Sequence, residues 1–124
     1  MGRKGKILLD TNAVVYFLEG RKEFETIGNY STFYYSFITE IELLSFGDED
    51  RRKTVSDFLK KGKRIDIDNK IIAGTIEIRR TKRLKVPDAI IVASAQKIKA
   101  DLFTSNEEII RKVDDSKIIN LLKK

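Results

Sequence analysis

The stretch "KILLDTNAVVYFLEG", residues 6–20, decides the fold. Its first half is an unbroken apolar run, Ile7, Leu8 and Leu9, the pattern of a short strand buried on both faces in a parallel sheet. The run stops on an acid, Asp10, and residues 12–19 then read as a helix that Gly20 ends. An aspartate at such a junction has two uses. It can cap the helix, or it can serve as a ligand at the edge of a sheet, where α/β proteins build their sites.

The same alternation continues along the chain. "KEFETIG", 22–28, reads as a short helical turn, and "FYYSF", 33–37, as an aromatic strand. "ITEIELLSFG", 38–47, is a helix closed by Gly47. "DEDRRKTVSDFLKKG", 48–62, is a polar helix capped by Asp48 and ended by Gly62. "RIDID", 64–68, alternates as a half-buried strand through Ile65 and Ile67. "NKIIAGTIEIRRTKR", 69–83, places Ile71, Ile72, Thr75 and Ile76 on one helical face. "PDAIIVASAQKIK", 87–99, opens with the single proline, Pro87, a good first helical residue, and is apolar nearly all round, hence buried. "DLFTS" is a strand, "NEEIIRKV" a helix and "KIINLL" a last strand. Strands alternating with helices predict a central parallel sheet covered on both faces. The expectation is a three-layer α/β/α sandwich in one domain spanning residues 1–124, with no repeat or low-complexity linker.

Composition narrows the chemistry. Of 124 residues, 41% are hydrophobic and 35% charged, which suits a folded domain rather than a disordered chain. There is no cysteine, which excludes disulfides, thiolate nucleophiles, zinc ribbons and iron–sulfur clusters. There is no histidine, which removes the usual general base and the commonest transition-metal ligand. Catalysis would have to run on carboxylates, hydroxyls, amides, Lys and Arg. A site of hard oxygen ligands suits magnesium or manganese. Lys and Arg number 25 against 19 acids, a formal charge of +6, which favours an anionic partner. The apolar run in "MGRKGKILLD" is too short for a signal peptide. No stretch approaches the roughly 20 apolar residues that span a bilayer. A cytoplasmic protein without membrane contact is expected.

The acids have two readings. Asp10 ends the first strand, and Glu42 lies in the first turn of the helix after the second. Asp88 opens the buried helix, and Asn106, Glu107 and Glu108 open the helix after "DLFT". Acids at helix N-termini are favoured by the macrodipole, and Thr39-x-x-Glu42 and Ser105-x-x-Glu108 both fit capping boxes. Function requires that the acids converge. Two carboxylates about 4 Å apart repel by roughly 1 kcal/mol in water and about 4 kcal/mol at an effective dielectric of 20. Three in one cleft therefore take up a cation or protons. "FYYSF" invites a role in base stacking for Tyr34 or Tyr35, but a core strand is the simpler use.

"LLDTNAVVYFL", "FITEIELLSFG", "PDAIIVASA" and "LFTSNEEI", in this order and spacing, resemble a PIN domain, and in particular the small VapC-type ribonuclease toxins of toxin–antitoxin pairs. The resemblance covers essentially the whole chain. It implies a magnesium- or manganese-dependent endoribonuclease leaving a 5′-phosphate and a 3′-hydroxyl, with Asp10, Glu42 and Asp88 as catalytic metal ligands. It also implies a cognate antitoxin covering the cleft, and a homodimer. In a fourth position, where the family often has an acid, this chain has the amide Asn106, with Glu107 and Glu108 as alternatives just beyond. Thr11 and Thr104 fall on hydroxyl positions beside the substrate. Glu40 is two residues from Glu42, about 200° around a helix, so only one can face the cleft, and the resemblance selects Glu42.

The run "RRTKRLK", 79–85, sets Arg79, Arg80, Lys82, Arg83 and Lys85 just before Asp88. These cations either complement a helix end or bind the RNA backbone. Three other readings compete with a toxin: a non-catalytic RNA-binding or regulatory PIN-like module, a housekeeping RNA-processing nuclease, and a phosphoacceptor receiver domain. The last wants an acid pair after the first strand, which "LLDTN" lacks.

Overall fold

Ile7, Leu8 and Leu9 form the first strand, β1 (Ile7–Leu9), and all three are wholly removed from solvent. A strand can be buried on both faces only at the centre of a covered sheet, and β1 lies there. In this computed structural model, which describes residues 5–20, 27–28, 30–115 and 117–120, β1 pairs in parallel with β2 (Phe33–Ser36) on one side and β4 (Asp101–Thr104) on the other. β3 (Lys63–Ile65) extends the sheet beyond β2, and β5 (Ile118–Asn120) beyond β4, giving the order β3-β2-β1-β4-β5 with every pairing parallel. Leu9 stands opposite both Tyr35 and Phe103.

Successive strand side chains point to opposite faces, and two apolar cores result. Ile7, Leu9, Phe33, Tyr35 and Phe103 pack with residues of α1 (Thr11–Leu18), α2 (Phe37–Leu44) and α3 (Glu49–Leu59). Leu8 and Leu102 pack on the other face with residues of α4 (Asn69–Lys82), α5 (Val86–Ile98) and α6 (Glu107–Lys112). The three-layer α/β/α sandwich around a parallel sheet is the observed architecture. Phe33 and Tyr35 are core residues, as the aromatic strand required. Phe33 also stacks on Phe58 of α3, with ring centroids 4.8 Å apart. α3 ends at Leu59, three residues before Gly62, and Gly62 is needed for that packing, since a Cβ there would lie 2.3 Å from the Phe33 ring.

Several local expectations are corrected. α2 begins at Phe37 with Ser36 as its cap. Thr39 is therefore inside the helix and Glu42 is in its second turn, so no capping box joins them. Asn106, not Ser105, caps α6 by accepting from the Ile109 N–H at 3.1 Å. β3 stops at Ile65, opposite Ser36 at the end of its partner strand, and leaves Ile67 exposed. The buried stripe of α4 runs through Ile71 and Ile78, while Ile72 and Ile76, one residue further round, are about half exposed. A side chain on Gly74 would come within 3.3 Å of Ala93 on α5, so α4 approaches α5 along the 71–74–78 side. Of the expected turn at 22–28 only Ile27 and Gly28 lie within the described residues, and the end of the expected last strand, 121–122, lies outside them. Among the described residues no helix is long and apolar enough to cross a membrane.

Candidate active site

The order β3-β2-β1-β4-β5 makes the chain leave β1 toward one side of the sheet and β4 toward the other. Between them, beyond their carboxyl ends, is the crevice where open α/β sheets bind ligands. Asp10 directly follows β1 and Thr104 ends β4. The capping use of Asp10 is observed here. One carboxylate oxygen accepts from the Ala13 N–H at 3.1 Å and caps α1. The other accepts a hydrogen bond from the Thr104 hydroxyl. The Asp10 side chain is only 5% exposed. Burial is the main reason its pKa is pushed up to about 6, against the hydrogen bonds that favour the charged form.

A network carries this contact to Asp88. The Thr104 hydroxyl also accepts from the Asn106 N–H at 2.9 Å. The Asn106 Nδ2 in turn donates to Asp88 Oδ1 at 3.0 Å. Asp88 stands in the first turn of α5, brought there by Pro87 at the helix start. On the other wall, the Thr11 hydroxyl donates to Glu42 Oε1 at 2.6 Å and contacts the Thr39 hydroxyl at 3.1 Å. Thus each of the three acids is held by a neutral donor. Among the described residues none of the three is ion-paired with Lys or Arg.

Asp10, Thr11, Glu42, Asp88 and Asn106 line one cleft of about 340 Å³, together with Asn12, Leu43, Phe46, Pro87 and Ile91. Other acids and the basic run lie elsewhere. Glu40 pairs with Arg64 at 3.2 Å, and Glu108 pairs with Arg111 and Lys112, which hold its carboxyl below the usual range. Glu107 is exposed and outside the cleft lining. Arg79, Arg80, Lys82, Arg83 and Lys85 are exposed around the α4–α5 turn, also outside the lining. A larger groove of about 550 Å³ along α3 is lined by both acids and cations of a solvated helix face and contains none of the expected site residues. Sequence reading missed Asn12, Phe46 and Pro87 as cleft residues. The Phe-Gly pair at 46–47, an aromatic at a helix end, was the available signal for Phe46.

The donor set fits a hard divalent cation. It is made of oxygens from two aspartates and a glutamate, flanked by an amide. Among the described residues no three acidic side chains converge on one point. Magnesium is commonly held by one or two carboxylates with water and substrate phosphate completing its shell, and Asp10 with Asp88, linked through Thr104 and Asn106, would be the pair that holds it.

Comparison with known proteins agrees with this architecture. The chain superposes on a toxin–antitoxin complex from Klebsiella pneumoniae with a TM-score of 0.80 at 24% identity, covering 93% of this chain and 97% of that one. It superposes on VapBC-1 from nontypeable Haemophilus influenzae with a TM-score of 0.80 at 19% identity, covering 95% and 99%. VapBC2 from Rickettsia felis, bound to a DNA fragment from its promoter, gives 0.73 at 22%, covering 93% and 96%. At these identities the likeness speaks to the fold. No curated protein matches by sequence. The family model of the PIN domain matches residues 7–116, from β1 to beyond α6, and so the chain belongs to the PIN domain family.

Proposed function

We propose that this chain is a metal-dependent endoribonuclease of the VapC type, the toxin of a toxin–antitoxin pair, working as a single domain. The observation that carries the reading is that Asp10, Glu42 and Asp88 line one cleft at the sheet's switch point, each on a neutral donor and none paired with a cation among the described residues. Membership of the PIN family and the toxin–antitoxin complexes among similar structures support the same assignment.

In this reading Asp10 and Asp88 hold magnesium or manganese, with Glu42 across the cleft. When bound, the ion supplies an activated water and neutralises charge on the scissile phosphate. The chain's own residues supply the positioning. Thr104 and the α1 backbone fix Asp10, and Asn106 fixes Asp88. Thr11 keeps the Glu42 carboxylate within reach of a water or a phosphate-bound cation. Burial of Asp10 makes its negative charge costly without a counter-ion, which favours cation uptake. The cations at 79–85 are available to the RNA backbone approaching the α5 side. A cognate antitoxin, a homodimer and a cytoplasmic location belong to the same proposal.

The test is cleavage of a panel of structured and single-stranded RNAs with magnesium, manganese or EDTA, beside Asp10→Asn. Metal-dependent cleavage lost in the variant is expected. Salt-sensitive RNA binding without cleavage would instead support the non-catalytic module, the reading that the amide at position 106 favours.

A further inference from the structure

The cleft lining is of two chemistries. Asp10, Glu42 and Asp88 bring carboxylates, and Leu43, Phe46, Pro87 and Ile91 bring apolar surface. Leu43 and Ile91 are buried, but Phe46 is 70% exposed, more than any other large apolar side chain among the described residues. An aromatic ring left in water forgoes most of the stabilisation its burial would bring.

Phe46 is nevertheless held in a defined place. α2 ends at Leu44, and the Ser45 hydroxyl donates to the Ile41 carbonyl at 2.5 Å. Arg51 Nη1 donates to the Leu43 carbonyl at 3.3 Å, occupying another acceptor of the last turn. Gly47 then takes a φ of +88°, which other residues rarely adopt, and a Cβ there would lie 2.7 Å from Arg51 Cδ. The turn is therefore specific, and it presents the ring at the cleft instead of folding it into the core.

We propose that Phe46 is the base-stacking platform of this cleft, receiving the base of a single-stranded RNA nucleotide whose phosphate lies among the carboxylates. This rests on the ribonuclease reading of the same site. A nucleotide joins the same two chemistries, a flat π-face and a charged phosphate. Stacking on an aromatic ring accepts any base. It also selects against duplex, whose bases are already stacked on one another. Leu43 and Ile91 are buried, so the apolar surface the cleft exposes is the Phe46 ring with Pro87, a flat surface that suits a base better than a row of peptide side chains.

The test uses the full-length protein and a single-stranded RNA that it cleaves. Phe46→Ala should raise KM by about tenfold, the scale of one stacking interaction, with little change in kcat and an unchanged melting curve, since the ring is exposed. Phe46→Trp and Phe46→Tyr should restore KM. Removing the base next to the scissile phosphate should weaken wild type to the same extent and Phe46→Ala no further. An unchanged KM in Phe46→Ala would overturn the proposal while leaving the nuclease intact. Full restoration by Phe46→Leu would also overturn it, marking an ordinary apolar contact of the kind a protein partner makes. If wild type cleaves no RNA, the nuclease reading fails separately. Stacking is then judged by 2-aminopurine fluorescence of a bound RNA oligonucleotide. A response that disappears in Phe46→Ala supports the platform, and an equal response overturns it.

Discussion

Asn106 serves two helices at once: its Nδ2 donates to Asp88 Oδ1 at 3.0 Å while its Oδ1 accepts from the Ile109 N–H at 3.1 Å. The amide caps α6 and orients the acid that opens α5. Asn106→Ala removes both hydrogen bonds and should cost about 0.5–2 kcal/mol through the missing cap alone. Asn106→Asp keeps a capping acceptor but faces Asp88 with a second carboxylate, a repulsion of roughly 1–4 kcal/mol. Thermal melts should show Asn106→Asp below wild type in EDTA and largely recovered by magnesium. Asn106→Ala should stay low in both. An Asp variant that melts like wild type in EDTA would contradict the Asn106–Asp88 hydrogen bond.

Asp10 sets a pH dependence of the metal-free fold. Its pKa in the folded chain, about 6, lies above the ordinary 3.8, with burial as the leading cause. Protonation therefore favours the native state. The contribution is fully present below about 3.8 and is lost as pH rises through about 6. Above that, keeping the buried carboxylate ionised costs roughly 3 kcal/mol. Asp10→Asn in EDTA should accordingly be more stable than wild type at pH 7.5, with the gap closing toward pH 4, while cleavage is abolished. Asp57, Asp68 and Glu108, held low by neighbouring lysines and Arg111, lose their contributions in acid in both proteins and cancel in the difference. A gap that stays constant from pH 4 to 7.5 would refute the assignment.

The parts legible in the sequence are those written in local pattern. Ile7 to Leu9 could only be a central strand, Gly and Pro punctuated the helices, and Asp10 at a strand end pointed to the sheet edge where the candidate site lies. What failed depended on partners. Phe37 has strand chemistry but follows Ser36, whose hydroxyl accepts from the Ile38 N–H at 3.2 Å, so the helix starts earlier than pattern implies. Ile67 is not in a strand because β2 offers no further pairing. The meeting of Thr104 with Asp10 spans 94 positions and follows from β4 lying beside β1, a strand order that no local pattern encodes. Phe46 falls in the stretch 38–47 that pattern reads as helix, and only the end of α2 at Leu44 and the turn at Gly47 leave it exposed at the cleft.

Glu42 and Glu40 give a direct contrast. Glu42 lies in the cleft on Thr11, and Glu40 lies outside it on Arg64. Glu42→Gln should reduce kcat by at least about tenfold, as expected for losing a charge beside the reacting phosphate. Glu40→Gln removes a partly exposed ion pair and should change stability by less than about 1 kcal/mol, with activity intact. Equal loss in the two variants would place the wrong acid in the site.

Gly62→Ala tests the packing behind the site. The added methyl would sit 2.3 Å from the Phe33 ring, which is itself wedged against Phe58. Relief requires moving a buried aromatic of the strand next to β1, so a loss of about 1–3 kcal/mol is expected, read from denaturant midpoints at constant slope. A neutral result would mean that the Phe33–Phe58 stack is loose.

The basic run divides by structure. Arg79 Nε donates to the Leu84 carbonyl at 3.2 Å, and Arg83, at a φ of 58°, caps α4. Both therefore have structural work at the α4–α5 turn. Arg80, Lys82 and Lys85 are exposed and carry no ion pair among the described residues. If these three touch phosphates, replacing them together with Gln should leave the melting temperature near wild type. It should weaken RNA binding and flatten the slope of log K against log salt by about 0.7 for each phosphate no longer neutralised, roughly 2 in all for a single strand. Arg79→Gln should do the reverse, lowering stability with little change in slope. An unaltered slope in the triple variant would leave these cations as complements to the α4 dipole and move the RNA path to another face of the cleft.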